Sequence, residues 1–373
     1  MSVVVVRGTE ALKEHIDAWQ DLSDNALEPN IFYEAWMMIP AVEAFGADAE
    51  LYFVFIYAPG LRRHSKKFSC GFFPLELSRR YKNLPVVVFR LWKHIHCFLC
   101  TPLLRAEKAQ AALATFLDWL ESDQAPAQLM EFASITADGA FHKFLIDEFN
   151  QRARLTFTSD NYNRALLNPR SNTGTSFSGR HKKELRRKQT RLSDAGTLEY
   201  IALEPEGDAE HWIKDFIQLE AEGWKGKEGT AFASETAPRK FFESAVKGAF
   251  DNDRLMMLAL KFNGKPIAMK CNFISGRGSF SFKITYDETF SRYSPGVLLE
   301  LENVRRVSAM TQVEWMDSCA VSEHFMINRL WADRRTIETI LVSTGKRPGD
   351  FVVSVLPMLR WLRRKFLRKA QTK

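Results

Sequence analysis

Apolar residues recur along this chain with two periods, and the switches between them mark out its elements. Four consecutive valines, 3–6, precede Leu12, Ile16, Trp19 and Leu22, which are spaced three or four residues apart. The first pattern predicts a buried strand and the second a helix, with Thr9 as its N-cap. Strand-length apolar runs follow at 51–58, 69–77 and 85–92, and helical spacing at 106–121 and 139–150. Strands at 128–135 and 154–162 complete the first half.

Residues 168–179, NPRSNTGTSFSG, have turn composition and no apolar repeat, so they read as a connector. This places a domain boundary near residue 165. Beyond it the pattern gives a basic helix within 176–196, helices at 209–224 and 238–251, and three consecutive strands at 255–264, 265–276 and 278–288. Asn263-Gly264 and Gly276-Arg277-Gly278 fall where hairpin turns are needed. A loop at 289–296, a helix at 296–310, a strand at 312–318, a helix around 323–333, a strand at 336–344 and a terminal basic helix follow. Strands and helices in this order predict a layered fold of the α/β or α+β kind.

With 373 residues, 46% of them hydrophobic, the chain is longer than one typical core uses, which argues for two domains. The net charge of +7 is unevenly spread. Residues 1–165 hold 17 basic and 20 acidic side chains, and residues 166–373 hold 35 and 25. An anionic ligand is therefore expected in the second half. The five cysteines, Cys70, Cys97, Cys100, Cys271 and Cys319, are scattered and read as reduced thiols. The CxxC of HIHCFLC lies in an apolar run with no second ligand pair, which favours buried structural thiols and no metal site. The opening residues lack a signal-peptide core and no apolar run reaches spanning length, so a cytoplasmic protein is expected.

Several stretches of the second half, taken in order, carry a family resemblance: HKKELRRKQTRLSDAG, FIQLEAEGWKGKEGTAF (216–232), LALKFNGKPIAMKCNF, KITYDETFSRYSPGVLLELE (283–302) and MDSCAVSEHFMINRLWADRR (316–335). This half resembles the GNAT-type acyltransferases of the FemAB-like group, in particular the cellulose-biosynthesis CelD-like acetyltransferases. The first half matches more loosely through IFYEAWMMIPAVEAFG and SCGFFPLEL. The resemblance implies an α+β chain of two tandem GNAT-like domains, each a mixed, mostly antiparallel sheet flanked by helices. The divisions are then 1–165 for the first domain, 166–208 for the basic connector and helix, 209–353 for the second domain, and 354–373 for the terminal helix. It further implies transfer of an acetyl or other acyl group from acyl-CoA to an amine or hydroxyl acceptor, such as a small molecule or saccharide of envelope metabolism. Two alternatives stay open: aminoacyl-tRNA as donor, and a non-catalytic module of the same fold.

In SRYSPGVLLELENVRR a strand ends, the chain turns at Ser294-Pro295-Gly296 and a helix begins, so backbone N–H groups and the positive end of the helix dipole face outward. Such an end suits the pyrophosphate of coenzyme A, with Arg292, Ser294, Gly296, Val297 and Leu298 as the binding segment. A second glycine of the usual family loop is replaced by Leu298, and Pro295 lies within it. The other reading is a plain turn that starts a buried helix. Candidate bases are Glu220, on an apolar helix face; Asp317, at the end of a strand; and His324, just before a helix. Each also has a structural reading, as an exposed ion pair, a loop cap and a packed ring. Tyr286 is a candidate acid for the departing thiolate, with Tyr293 an equal alternative, and Trp224 and Lys283 are candidate acceptor contacts. Cys319 lacks a pair that would activate it as a nucleophile.

Two basic stretches remain. The helix within 176–196 carries seven Lys or Arg residues, with Leu185 and Leu192 as apolar anchors. It is either a solvated bridge or a contact for phosphates, tRNA among them, and it lacks the aromatic residues that stack bases. From Arg360 onward there are seven basic residues and no acid, with Leu359, Leu362, Phe366 and Leu367 at helical intervals. This reads as a basic amphipathic helix that either packs on the domain or makes peripheral membrane contact.

Overall fold

The computed structural model describes residues 1–59, 68–171, 179–229 and 231–371, apart from the side chains of 224–225, 363–364 and 366–371. The chain divides into two compact units. Unit 1 comprises Met1–Tyr33, Asp48–Tyr162 and Thr336–Lys373, and unit 2 comprises Glu34–Ala47 and Asn163–Arg335. The boundary expected near residue 165 is thus joined by two further crossings, at residues 34–47 and after residue 335.

The elements up to the basic helix are β1 (Ser2–Val6), α1 (Thr9–Lys13), α2 (Ile16–Asp24), α3 (Ala35–Phe45), β2 (Glu50–Ala58), β3 (Phe68–Ser78), β4 (Val88–Leu91), β5 (Leu103–Leu104), α4 (Ala109–Glu121), β6 (Leu129–Thr136), α5 (Ala140–Gln151) and β7 (Thr156–Leu167). Beyond β7 lie α6 (Gly179–Asp194), β8 (Leu198–Ala202), α7 (Ala209–Glu222), α8 (Trp224–Lys227), α9 (Thr236–Asp251), β9 (Leu255–Phe262), β10 (Lys265–Ser275), β11 (Gly278–Tyr286), α10 (Pro295–Ala309), β12 (Trp315–Asp317), α11 (Phe325–Leu330), β13 (Asp333–Ser343) and α12 (Gly349–Gln371).

In unit 1 the strands run β1-β2-β3-β4-β6-β13, with β5 beside β3. All these pairs are antiparallel except β4 with β6, which is parallel and is bridged by α4. The core is aromatic: Trp19 lies against Phe72 at 4.2 Å, and Phe73 stacks on Phe116 at 3.8 Å. Cys97 Sγ and Cys100 Sγ, both buried, lie 3.8 Å apart, and all five cysteines are free thiols.

Unit 2 repeats the scheme in the order β12-β11-β10-β9-β8. Its meander is antiparallel, β11 and β12 are parallel with α10 between them, and the last residues of β7 pair with β12. The two-residue turn between β9 and β10 places Asn263 at φ 49° and Gly264 at φ 79°, both left-handed as a type I′ hairpin requires. Apolar residues on α10 (Leu298, Leu299, Val307) join Leu258, Leu260 and Ala268 of β9 and β10 in one buried cluster, to which α6 adds Leu185 and Leu192.

Two local expectations shift, and one helix has no counterpart in the apolar pattern. The first N-cap is Gly8 at φ 78°, and Thr9 is already helical. The helix proposed there is two, because the chain breaks between Lys13 and Ile16. Helix α3, which carries no clear apolar period, packs in unit 2 with Trp36 against Phe273 and Phe45 against Phe241.

Candidate active site

Strands β11 and β12 stay together for only three residues. Gly278, Ser279 and Phe280 face Trp315, Met316 and Asp317, after which β12 ends while β11 continues to Tyr286. Cys319, with φ 53°, turns the chain aside. Strand β10 follows the other edge of β11 out to Tyr286.

At the far end of this gap the strand turns directly into α10. Asp287 accepts a hydrogen bond from Thr289 N at 2.8 Å, and a 3₁₀ turn over Glu288–Tyr293 leads to Ser294 in the left-handed region. Pro295 then occupies the first helical position, where its missing N–H costs nothing. Val297 N and Leu298 N both turn back to Ser294 O, at 3.0 and 3.1 Å, and the Leu298 side chain is in the core. The outward donor capacity of the first turn is therefore reduced to Gly296 N–H. Gly296 itself is pressed against Tyr286, since a Cβ there would lie 3.3 Å from the tyrosine ring. Cations supplement the helix end. Lys188 of α6 donates to Ser294 Oγ at 3.0 Å, and the Arg292 guanidinium lies over the Tyr293 ring at 4.6 Å.

Behind the gap lies a chain of buried charge that the pattern of apolar positions did not single out. Lys270 Nζ in β10 pairs with Glu300 in α10 at 2.7 Å and donates to Ser281 Oγ of β11 at 2.6 Å. Asn303 donates to Glu300 at 2.9 Å and accepts from Asn272 at 2.9 Å. Lys270 and Glu300 are essentially inaccessible, so each charge depends on the other. The sequence signals were a lysine inside the apolar strand PIAMKCNF and a glutamate among the leucines of VLLELE.

Asp317 closes the narrow end of the gap and is fully buried. Arg164 pairs with it, Nε lying 2.7 Å from one oxygen and Nη2 donating to the other at 2.8 Å, Arg335 adds Nη1 at 3.0 Å, and Cys319 N donates at 2.9 Å. Burial pushes the carboxyl pKa up, but the two guanidinium groups and the Cys319 N–H outweigh it and hold the pKa below its ordinary value. Arg335 is itself stacked on Trp315 at 4.0 Å. Burial and the Asp317 charge together push the Cys319 thiol up, so it is not a thiolate.

His324 is half-buried and caps α11, accepting from Ile327 N at 3.4 Å through Nδ1. Burial lowers its pKa below the ordinary imidazole value, against the opposing charge of Glu300. Glu220 is buried on α7, and its Oε2 accepts from Phe232 N at 2.9 Å. The Lys283 ammonium lies 5.2 Å from the centre of the Phe232 ring, so Glu220 and Lys283 meet the same aromatic residue. The Trp224 side chain lies outside the described residues. The candidates thus fall into three groups within unit 2: Arg292, Ser294, Gly296 and Tyr286 at the start of α10; Asp317 and His324 after β12; Glu220 and Lys283 around Phe232. Among the described residues no cluster of three or more His, Cys, Asp or Glu side chains is placed to hold a metal.

Residues 179–325 match the acetyltransferase (GNAT) domain family. No curated protein matches the sequence. Among solved structures, the chain is similar to FemX, at 10% identity over 92% of this chain and 97% of that one, with a TM-score of 0.56. It is also similar to a conserved protein of unknown function from Bacteroides thetaiotaomicron VPI-5482, at 11% identity over 88% and 96%, with a TM-score of 0.51. At these identities the likeness concerns the fold: two tandem GNAT-like domains of the α+β class, each a mixed sheet flanked by helices.

Proposed function

We propose that unit 2 transfers an acyl group from an acyl-CoA thioester to an amine or hydroxyl of a small-molecule or saccharide acceptor. The observation that carries this reading is the parting of β11 from β12 after Phe280, next to a helix start supplied with Lys188 and Arg292. A coenzyme A donor combines a diphosphate with an extended arm containing two amides. The phosphates suit the Lys188, Ser294 Oγ, Gly296 N–H and Arg292 end, and the extended arm suits the place where β12 leaves β11.

In this reading the acceptor nitrogen or oxygen bonds to the thioester carbon as the C–S bond breaks, the acceptor gives up a proton and the leaving sulfur gains one. His324, held neutral by partial burial, receives the acceptor's proton at Nδ1, the lone pair that accepts from Ile327 N at 3.4 Å before reaction. Tyr286, at the mouth of α10, supplies the proton for sulfur. Asp317 is a positioning residue: with both oxygens engaged and its pKa lowered, it is a poor base, and it fixes the turn that ends β12. Glu220 holds the Phe232 segment, against which Lys283 lies.

Calorimetric titration with acetyl-CoA and CoA tests the donor. Wild type should bind both, and Lys188→Ala and Arg292→Ala should each weaken binding about tenfold, the loss of one charge-assisted contact at about 1.4 kcal/mol. His324→Ala should lower turnover far more than donor affinity. Absence of binding to wild type would overturn the acyl-CoA reading. The exposed basic face of α6 is the one observation that favours aminoacyl-tRNA instead. That donor would announce itself by an affinity that falls steeply as salt rises.

A further inference from the structure

Helix α12 begins as part of unit 1 and then presents its apolar residues outward. Val352, Val353 and Leu356 are buried with Tyr81, Val86, Val88, Leu129 and Leu341. A different stripe is left open: Phe351 is 68% exposed, Met358 56%, Leu359 47% and Trp361 58%. With Val355 and Leu362, the series Phe351, Val355, Met358, Leu362 steps by four, three and four residues, which keeps it on one side of a helix. Four large apolar side chains exposed within three turns are more than a surface helix of this length needs for solubility or packing.

Charge identifies what would cover them. From Arg360 to the last residue the sequence has seven Lys or Arg and no Asp or Glu. Arg360 is turned toward the body of unit 1, donating to Thr158 O at 2.7 Å and lying over Phe157, away from the apolar stripe. Lys365 lies over the Trp361 ring at 4.9 Å, so an indole and an ammonium sit together where the stripe meets the polar side. A second copy of this chain would bring two strongly basic helices face to face and be repelled. Nucleic acid would engage the cations but leave the stripe in water. A surface that takes both an apolar stripe and the run of cations that follows it in the sequence is a bilayer with anionic headgroups, where Trp sits at the boundary and Lys and Arg reach the phosphates.

We propose that the exposed face of α12 docks on an anionic lipid surface, lying in the plane of the headgroups. Among the described residues no helix is long and apolar enough to cross a membrane, so the contact is peripheral. It is independent of which donor unit 2 uses.

Co-sedimentation of the full-length protein with vesicles tests this. Binding should be weak on phosphatidylcholine alone, rise at least about tenfold when phosphatidylglycerol is included, and fall again as salt is raised. The double variant Met358→Glu, Leu359→Glu should lose most of the gain. Both residues point into solvent, so its thermal melting should match wild type. Indifference of the wild type to phosphatidylglycerol would overturn the proposal. So would undiminished, salt-sensitive binding by the double variant, which would assign the attraction to another basic surface. Light scattering that shows a wild-type dimer and a monomeric double variant, with no effect of lipid, would give the stripe to a second copy instead.

Discussion

Asp317 is a carboxylate that the fold needs ionised. Its two oxygens receive both guanidinium groups and the Cys319 N–H, and its pKa lies below the ordinary carboxyl value despite full burial. A group whose pKa is lower folded than unfolded adds stability above its unfolded value, about 3.9 for Asp, and that stability is lost as pH falls through the folded value. Denaturant titrations from pH 7 down to about pH 2 should therefore show a loss below about pH 4 in wild type. Asp317→Asn should be destabilised at neutral pH by about 3–5 kcal/mol, since it leaves two buried cations short of a partner, and should show a shallower acid loss. An equally steep loss in the variant would place the acid sensitivity elsewhere. Asp317 was visible in the sequence as a strand-end acid, but its partners were not. Arg164 and Arg335 lie 153 and 18 residues away from it, and only the β7–β12 pairing brings the first of them into reach.

At the scale of the element, the turn between β9 and β10 shows how local chemistry made part of the fold legible. Asn263 and Gly264 both take positive φ, and Asn263 also ties the hairpin to the end of α6 by accepting from Thr197 N at 2.8 Å. A Cβ on Gly264 would meet nothing within 4 Å, so any cost of Gly264→Ala comes from the backbone conformation alone. The expected loss is about 1 kcal/mol in urea unfolding, with no change in the spectrum of the folded state. A neutral result would mean that the turn relaxes to another type. Asn-Gly between alternating apolar runs was a sufficient signal there, whereas α3 gave none. Its residues AWMMIPAVEAF are apolar nearly all round and contain Pro40, so no face stands out. Its place depends on Gly248 of α9, where a Cβ would lie 3.0 Å from the Trp36 Cβ, a fit that no local pattern records. The donor end was half legible for the same reason. Ser294-Pro295-Gly296 marked a helix start, but Lys188 reaches it across more than one hundred residues of chain.

Across the whole molecule the two units share a plan, a meander followed by a parallel pair with a helix between, yet they differ where a donor would lie. In unit 1 the parallel pair β4 and β6 also separates after three residues, beyond Arg90 and Glu131. There the chain itself fills the opening. Cys100 N donates to Ser134 O at 3.0 Å, Lys93 Nζ to Ser134 Oγ at 2.8 Å, and Asn30 holds the loop by donating to Leu99 O at 3.1 Å and Thr101 O at 2.8 Å. The segment is packed with buried Trp92, Cys97 and Cys100, and the Cys97 thiol is raised well above its ordinary value by burial and by Cys100. In unit 2 the corresponding parting of β11 from β12 adjoins the helix start that Lys188 and Arg292 serve. If acyl-CoA occupies an opening of this kind, the protein should take up one donor per chain and not two. Calorimetry on the wild type should give a stoichiometry near one, and Lys188→Ala with Arg292→Ala should abolish the only binding phase. Two phases, one of them untouched by those substitutions, would mean that the loop from Trp92 to Thr101 yields to ligand and that unit 1 binds donor as well.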